Sequence, residues 1–298
     1  MKKTLITRRV AILAAASLSF LAACGGSGTS SDTTVAASAG NGKKILSLSP
    51  TATEMLYAIG AGDQVVAVDS LSNYPAEAAD KLTKISAFEP NAEAILGYNP
   101  DIVLISNDMN KITEQLKTAK PDITVWTGAM ATTIDDVYAQ ITDLGVVTGH
   151  DAEAAALVTK MMADLAAATD GVTAPEGASY YYELDNTYYS LTSNTFVGSL
   201  LKSTGITNIA DGVEAGNDWP QLNAESIIKA NPTVIFLADT KCCQQNAAAV
   251  AKRAGWDGID AVKNARVVEL DDDIASRWGP RIVDLVKQMV ESIKSLQK

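Results

Sequence analysis

The chain has 298 residues, room for two cores at roughly 100–200 residues each. Hydrophobic residues make up 47% and charged residues 20%, which excludes a disordered chain. The net charge is −11, and losing Lys2, Lys3, Arg8 and Arg9, the only charges before Cys24, takes it to −15. So acidic a surface repels phosphate backbones and excludes nucleic acid as a partner.

Residues 1–23 read as a signal segment: a basic start, then the apolar run "VAILAAASLSFLAA", too short to span a bilayer with ease. The run closes on "LAAC", which resembles the lipobox of bacterial lipoproteins and implies lipidation of Cys24. Residues 24–42 are rich in Gly, Ser, Thr and Ala and predict a flexible tether with little to bury. The expectation is a body held outside the cytoplasmic membrane by a lipid anchor.

From Lys43 strands and helices alternate. "KKILSLSP" predicts a strand stopped at Pro50, "TATEMLYAIGAG" a helix closed by glycine, and "QVVAVDS" a second strand. A helix capped by Asn91 and running to Tyr98 follows, broken at Pro100 before the strand "DIVLIS". A Lys- and Gln-rich helix leads to "DITVWTG". Near-continuous apolar strands separated by helices predict a parallel sheet covered on both faces. This gives an N-terminal α/β lobe over residues 43–133.

Residues 134–177 predict two helices and no strand, the second opening at Asp151 with Leu157, Met161 and Leu165 at helical spacing. Alternation then resumes over 178–298: "SYYYELD", the helix "TFVGSLLKSTG", "TVIFLAD", "ARVVELD" and a final helix from Pro280. The sequence therefore predicts two α/β lobes with parallel central sheets, joined by one long helix, and a ligand cleft between them. "NAEAILGYNP" at Asn91 returns as "NAESIIKANP" at Asn223, placing Glu93 and Glu225 at equivalent positions in the first turn of their helices. The helix dipole favours each carboxylate there, but a matched pair, one per lobe, asks for a partner surface that is itself two-fold.

Catalytic motifs are missing: no GxxxxGK, no GxGxxG after a strand, no GxSxG. The single histidine, His150, precedes a helix and reads as a solvated or capping residue; one histidine cannot build a His-rich metal site. No resident metal or cofactor is expected. Cys242 and Cys243 are adjacent and read as a vicinal disulfide, the alternative being a thiolate pair touching a metal complex.

Aromatic residues precede each copy of the repeat, Phe88 before Glu93 and Trp219 before Glu225. Loops at these positions in α/β lobes border the cleft, so the two rings are expected to face each other across it, with Tyr74 beside them. Arg277, Trp278 and Arg281 stand at a loop-to-helix junction, where an arginine pairs with an anionic ligand group or caps neighbouring carbonyls.

"ILSLSPTATEMLYAIGAGDQVVAVDSLSNYP", "FEPNAEAILGYNPDIVLIS", "WPQLNAESIIKANPTVIFL" and "RWGPR", in that order, resemble the iron-siderophore and vitamin B12 class of ABC-importer substrate-binding proteins. The resemblance covers the body from about Lys43 to the C-terminus. It implies two Rossmann-like lobes bridged by a long helix, with modest closure on binding. It also implies that Glu93 and Glu225 dock into arginine pockets of a dimeric permease, and that Trp219 lines the ligand pocket. Phe88 sits one position closer to its glutamate than the tryptophan of the B12-binding members, and the adjacent cysteines depart from the family pattern.

The function expected is therefore that of a monomeric, lipid-anchored extracytoplasmic receptor, not an enzyme, which delivers a metal chelate to an ABC importer. Trp219 and an aromatic cleft favour a corrinoid over a ferric siderophore or haem, and haem would draw its axial ligand from Tyr180, Tyr181 or Tyr182. Outside that class stand a thiol oxidoreductase using Cys242 and Cys243 and a sensor lipoprotein without transport.

Overall fold

The computed structural model describes residues 42–297. The expected signal segment, Cys24 and the tether as far as residue 41 lie outside the described residues. Strand β1 (Ile45–Leu48) is buried at all four positions. Ser49 ends it and caps helix α1 (Pro50–Ala58), its hydroxyl accepting from the Ala52 amide at 3.2 Å. Pro50 suits the first helical position because its missing N–H has no intrahelical partner to lose. Strand β2 (Val65–Val68), the short helices α2 (Ala76–Ala79) and α3 (Ala92–Leu96), strand β3 (Ile102–Ile105), helix α4 (Ile112–Ala119) and strand β4 (Thr124–Thr127) complete the first lobe.

Helices α5 (Ile134–Thr148) and α6 (Asp151–Thr169) form a hairpin. Gly145 makes the close approach possible: a Cβ there would stand 2.6 Å from that of Ala154. The 19 residues of α6 span about 28 Å at 1.5 Å each. His150 sits at the turn and is 4% exposed, its Nδ1 3.2 Å from the Thr148 carbonyl oxygen. This corrects the expectation of a solvated or capping side chain. The ring fills the hairpin corner, where the Gln64 amide reaches both it and the Thr148 carbonyl, and makes no capping hydrogen bond to α6.

The second lobe comprises β5 (Ser179–Glu183), α7 (Phe196–Leu201), β6 (Thr207–Asn208), α8 (Ala224–Ala230), β7 (Val234–Leu237), α9 (Ala247–Val250), α10 (Asp260–Lys263), β8 (Val267–Glu269), α11 (Asp272–Ser276) and α12 (Ile282–Ser295). Both sheets are parallel and share one topology, in the orders β2-β1-β3-β4 and β6-β5-β7-β8. Alternation sorts each strand between two cores. Ile45, Leu104, Tyr180, Tyr182 and Phe236 join a shared cluster with Val137 of α5, Met161 of α6 and Met289 of α12. Leu46 and Val103 face a separate cluster behind the first sheet, and Tyr181 and Ile235 another behind the second. The lobes are thus bound by one apolar core running through α5, α6 and α12. Among the described residues no helix is long and apolar enough to cross a membrane.

Candidate ligand cleft

Strand order places the site. In each sheet the chain reverses its winding between the two central strands, and loops at their carboxyl ends part to leave a crevice. In the first lobe these ends carry Ser49, Ser106 and Asn107, in the second Leu184 and Ala238, and all five line one cleft of about 830 Å3. Its floor is polar, the Ser106 hydroxyl donating to that of Ser49 at 2.9 Å. The N-terminus of α1 opens there through Thr51 and Ala52, bringing the positive end of a helix dipole.

Three of the four tryptophans wall this cleft: Trp126, Trp219 and Trp278. Trp219 is 41% exposed on a loop stitched to residues 190–194, with Thr192 N–H donating to the Asp218 carbonyl at 2.9 Å and its hydroxyl to the Asp218 carboxylate at 2.7 Å. Trp278 packs on Phe196 at 4.8 Å between centroids and donates from Nε1 to the Ala275 carbonyl. Trp126, at the end of β4, is fixed by a 2.6 Å hydrogen bond from Nε1 to Asp143. Its ring lies against Gly128, where a Cβ would come within 2.6 Å of it. Sequence reasoning passed over Trp126, although an aromatic residue at the carboxyl end of a strand was the available signal.

The expected site residues do not all meet. Phe88, expected to oppose Trp219, borders a smaller recess of about 180 Å3 that shares Ser106 and Asn107 with the cleft. Tyr74 lies under the Arg281 guanidinium, 3.9 Å from the ring centroid, in a hollow with Glu54 and Tyr57. Arg277 is only 9% exposed. Its guanidinium donates to Asp273 at 2.8 Å, Asn73 at 2.7 Å and the Leu71 carbonyl at 3.0 Å, and stands 3.5 Å from Glu54. Of the two roles expected of it, that corrects the anionic-ligand one and agrees with carbonyl capping, through Leu71: these contacts already occupy it across the two lobes. Tyr180, Tyr181 and Tyr182 are each 1% exposed or less. The run that was to supply an axial ligand for haem is core, because the sheet is covered on both faces.

Cys242 and Cys243, expected to close a vicinal disulfide, are instead free thiols with sulfurs 2.6 Å apart. Their loop is tied to α11, the Asp272 carboxylate accepting from the amides of Thr240, Lys241 and Cys242 at 2.8–2.9 Å. Loss of water contact, then the Cys243 thiol and the Asp272 carboxylate, push the Cys242 thiol up to about 12. Among the described residues no group of three or more His, Cys, Asp or Glu side chains is arranged to hold a metal ion.

The two repeat copies match in detail. The Asn91 side chain accepts from the Ala94 amide at 2.8 Å and that of Asn223 from the Ser226 amide at 2.9 Å. Ile95 and Ile227 are both fully buried. Asn99 and Asn231 close the units in the left-handed region, at φ 48° and 47°. Each cap and its buried isoleucine leave the glutamate on the open face, so Glu93 and Glu225 are both exposed.

A family model described as periplasmic binding protein matches residues 45–274. An uncharacterized ABC transporter substrate-binding lipoprotein of Bacillus subtilis is 34% identical over 84% of this chain and 80% of its own length. A cobalamin-binding protein of Halobacterium salinarum is 30% identical over 84% of this chain and 69% of its own. The crystal structure of a periplasmic vitamin B12 binding protein of Vibrio cholerae superposes with a TM-score of 0.68 at 26% identity, covering 86% of this chain and 98% of that one.

Proposed function

Since this chain belongs to the periplasmic binding protein family, we propose that it is the extracytoplasmic receptor of an ABC importer and captures a bulky metal chelate, a corrinoid before a ferric siderophore or haem. The observation that carries this reading is the cleft at the strand ends, walled by Trp126 from one lobe and by Trp219 and Trp278 from the other. Three broad rings around about 830 Å3 suit a large, partly apolar ligand, and Ser49, Ser106 and the α1 N-terminus suit polar groups on its rim. The cobalamin-binding relative supports the corrinoid.

Cys24 carries the lipid that holds the receptor at the membrane, a reading supported by the lipoprotein relative. Glu93 and Glu225 meet the permease, one contact from each lobe. The receptor acts as a monomer, since paired contacts on one chain already match a two-fold permease. A thiol oxidoreductase is the less favoured reading, because the family and the relatives are those of binding proteins.

The test is a titration of the delipidated protein with cobalamin, a ferric siderophore and haem, followed by tryptophan fluorescence. Saturable binding of cobalamin is expected, with quenching because three of the four tryptophans line the cleft. Saturation by another of the three alone would reassign the ligand. No saturation by any would sink the receptor reading.

A further inference from the structure

The recess beside the cleft has its own chemistry. Its volume, about 180 Å3, matches the liquid volume of about six waters, and Phe88 stands at its edge with 64% of its surface exposed. Ser106 and Asn107 form the wall it shares with the cleft, so a ligand lying against the three tryptophans has the recess within reach of its periphery. Leu48, Ile105 and Ile112 supply apolar lining.

The exception to that lining is Asp69, directly after β2. It is fully buried and borders the recess, and neither carboxylate oxygen makes a hydrogen bond of normal geometry. Burial raises its pKa, opposed by the Ser72 hydroxyl, the amides of Ser72 and Leu71, and the charge of Arg277. Those neighbours shape the turn after β2 without saturating the carboxylate. Arg277 itself is spent on Asp273, Asn73 and Leu71. A buried carboxyl group with unused acceptor capacity is costly unless a donor arrives. The apolar walls offer none, and Ser106 already donates to Ser49.

We propose that this recess is a subsite for one peripheral arm of the ligand, an arm ending in an N–H donor such as a primary amide or a protonated amine, with Asp69 as its acceptor and Phe88 as its outer wall. The proposal rests on the receptor reading above and adds to it a chemical requirement on the ligand. The broad cleft selects for a large planar body, and the recess selects among such bodies by their edge groups. Replacing the N–H donor by a carboxylate would set like charges together, and removing it would leave Asp69 only the weak contacts of the Ser72 hydroxyl and the Ser72 and Leu71 amides.

The experiment compares the affinities of the full body, residues 25–298, for paired probes differing in one arm. One pair is cobalamin, whose corrin rim carries primary amides, and its monocarboxylate derivatives, each with one amide hydrolysed. The other is a ferric trihydroxamate with a terminal amine and its N-acetylated form. The wild type is expected to bind one member of at least one pair tenfold or more tightly, the intact amide in the first case or the free amine in the second. The first outcome identifies the arm as an amide, the second as an ammonium group. Asp69→Asn, close in shape, is expected to erase that preference while Tm shifts little. Binding with affinities equal within twofold across both pairs would overturn the subsite, and needs no variant that might misfold. A preference that persists in Asp69→Asn would also overturn it. Absence of binding to every probe would instead sink the receptor reading, and this subsite with it.

Discussion

Glu54 of α1 and Arg281 at the start of α12 form a buried ion pair between the lobes. Arg281 Nε donates to Glu54 Oε2 at 2.8 Å, and its Nη2 donates to Oε1. The Glu54 side chain is 1% exposed and that of Arg281 15%. The same guanidinium covers the Tyr74 ring, so an arginine of the second lobe meets a carboxylate and an aromatic face of the first. Arg277 adds a second contact to the same carboxylate at 3.5 Å. With α6 and the continuous core, this gives the lobes three ties, an arrangement that favours small relative motions.

Removing the carboxylate leaves two guanidinium groups facing each other in a poorly hydrated space. Glu54→Ala is expected to cost about 3–5 kcal/mol, as for other buried pairs broken on one side. Thermal unfolding reads this as a clear fall in Tm, and adding Arg281→Met should recover part of it. A Glu54→Ala protein with wild-type Tm would show that the pair contributes nothing.

Two tryptophans of the cleft should separate binding from stability. Trp219 is 41% exposed, so Trp219→Ala is expected to weaken cobalamin tenfold or more with Tm nearly unchanged. Trp126 is 7% exposed and hydrogen bonded to Asp143, so Trp126→Ala should lose affinity and also about 3–5 kcal/mol of stability. Titration and a melting curve on each variant decide the matter; equal losses of Tm would contradict the assignment.

The docking reading concerns two exposed glutamates in well-capped helices. Glu93→Ala with Glu225→Ala is expected to abolish uptake in cells, leave ligand affinity intact and change stability by no more than about 0.5 kcal/mol per site. Collapse of affinity in the purified double variant would place these residues at the ligand instead.

Asp239 gives a pH dependence with a definite sign. It is fully buried two residues beyond β7, facing Glu183, whose carboxylate holds Arg253 in a bidentate pair at 2.5 and 2.6 Å. Burial first, then the Glu183 carboxylate, push the Asp239 carboxyl up to about 7, with Arg253 opposing and Asp272 adding to the rise. The folded chain therefore keeps this proton between about pH 4 and 7, where the unfolded chain has released it. Stability falls as pH rises through that window, by up to about 1.4 kcal/mol per unit, and levels off above it. Asp69 acts in the same sense, while lowered carboxyls such as Asp271 and Asp272 act at more acid pH. Asp239→Asn should remove its share, so wild type and variant should diverge between pH 4 and 7 in denaturant titrations. Parallel curves would refute the shift.

Much of this was legible in one dimension. Apolar runs such as "DIVLIS" and "TVIFLAD" can hardly be anything but strands covered on both faces, and Asn91 and Asn223 announced their helices by capping chemistry that acts over three residues. Strand β6 was not foreseen, because two residues, Thr207 and Asn208, carry no periodicity and pair only because β5 lies alongside. The helix at Asn91 ends at Leu96, two residues short of the expected Tyr98. Contacts distant in sequence were illegible for another reason. Nothing near Arg277 states that Asn73 and Leu71 stand within 3 Å of it, so the choice between a ligand-binding and a carbonyl-capping arginine stayed open. His150 failed likewise, since the Gln64 that helps bury it is 86 positions away.

What is local or periodic can be read along the chain: two α/β lobes, the helical connection, the repeated cap-glutamate-strand unit, and through its motifs the family. Which side chains share a space follows from the packing of the folded chain. It put Trp126 rather than Phe88 in the cleft with Trp219, turned Arg277 and Arg281 into ties between lobes, sank the three tyrosines into the core and left Asp69 beside a recess. The physical reason is one of range. Helix caps and strand alternation are written within a few residues, whereas a cleft is assembled by packing elements whose spacing in the chain is arbitrary, and burial and charge are properties of that assembly.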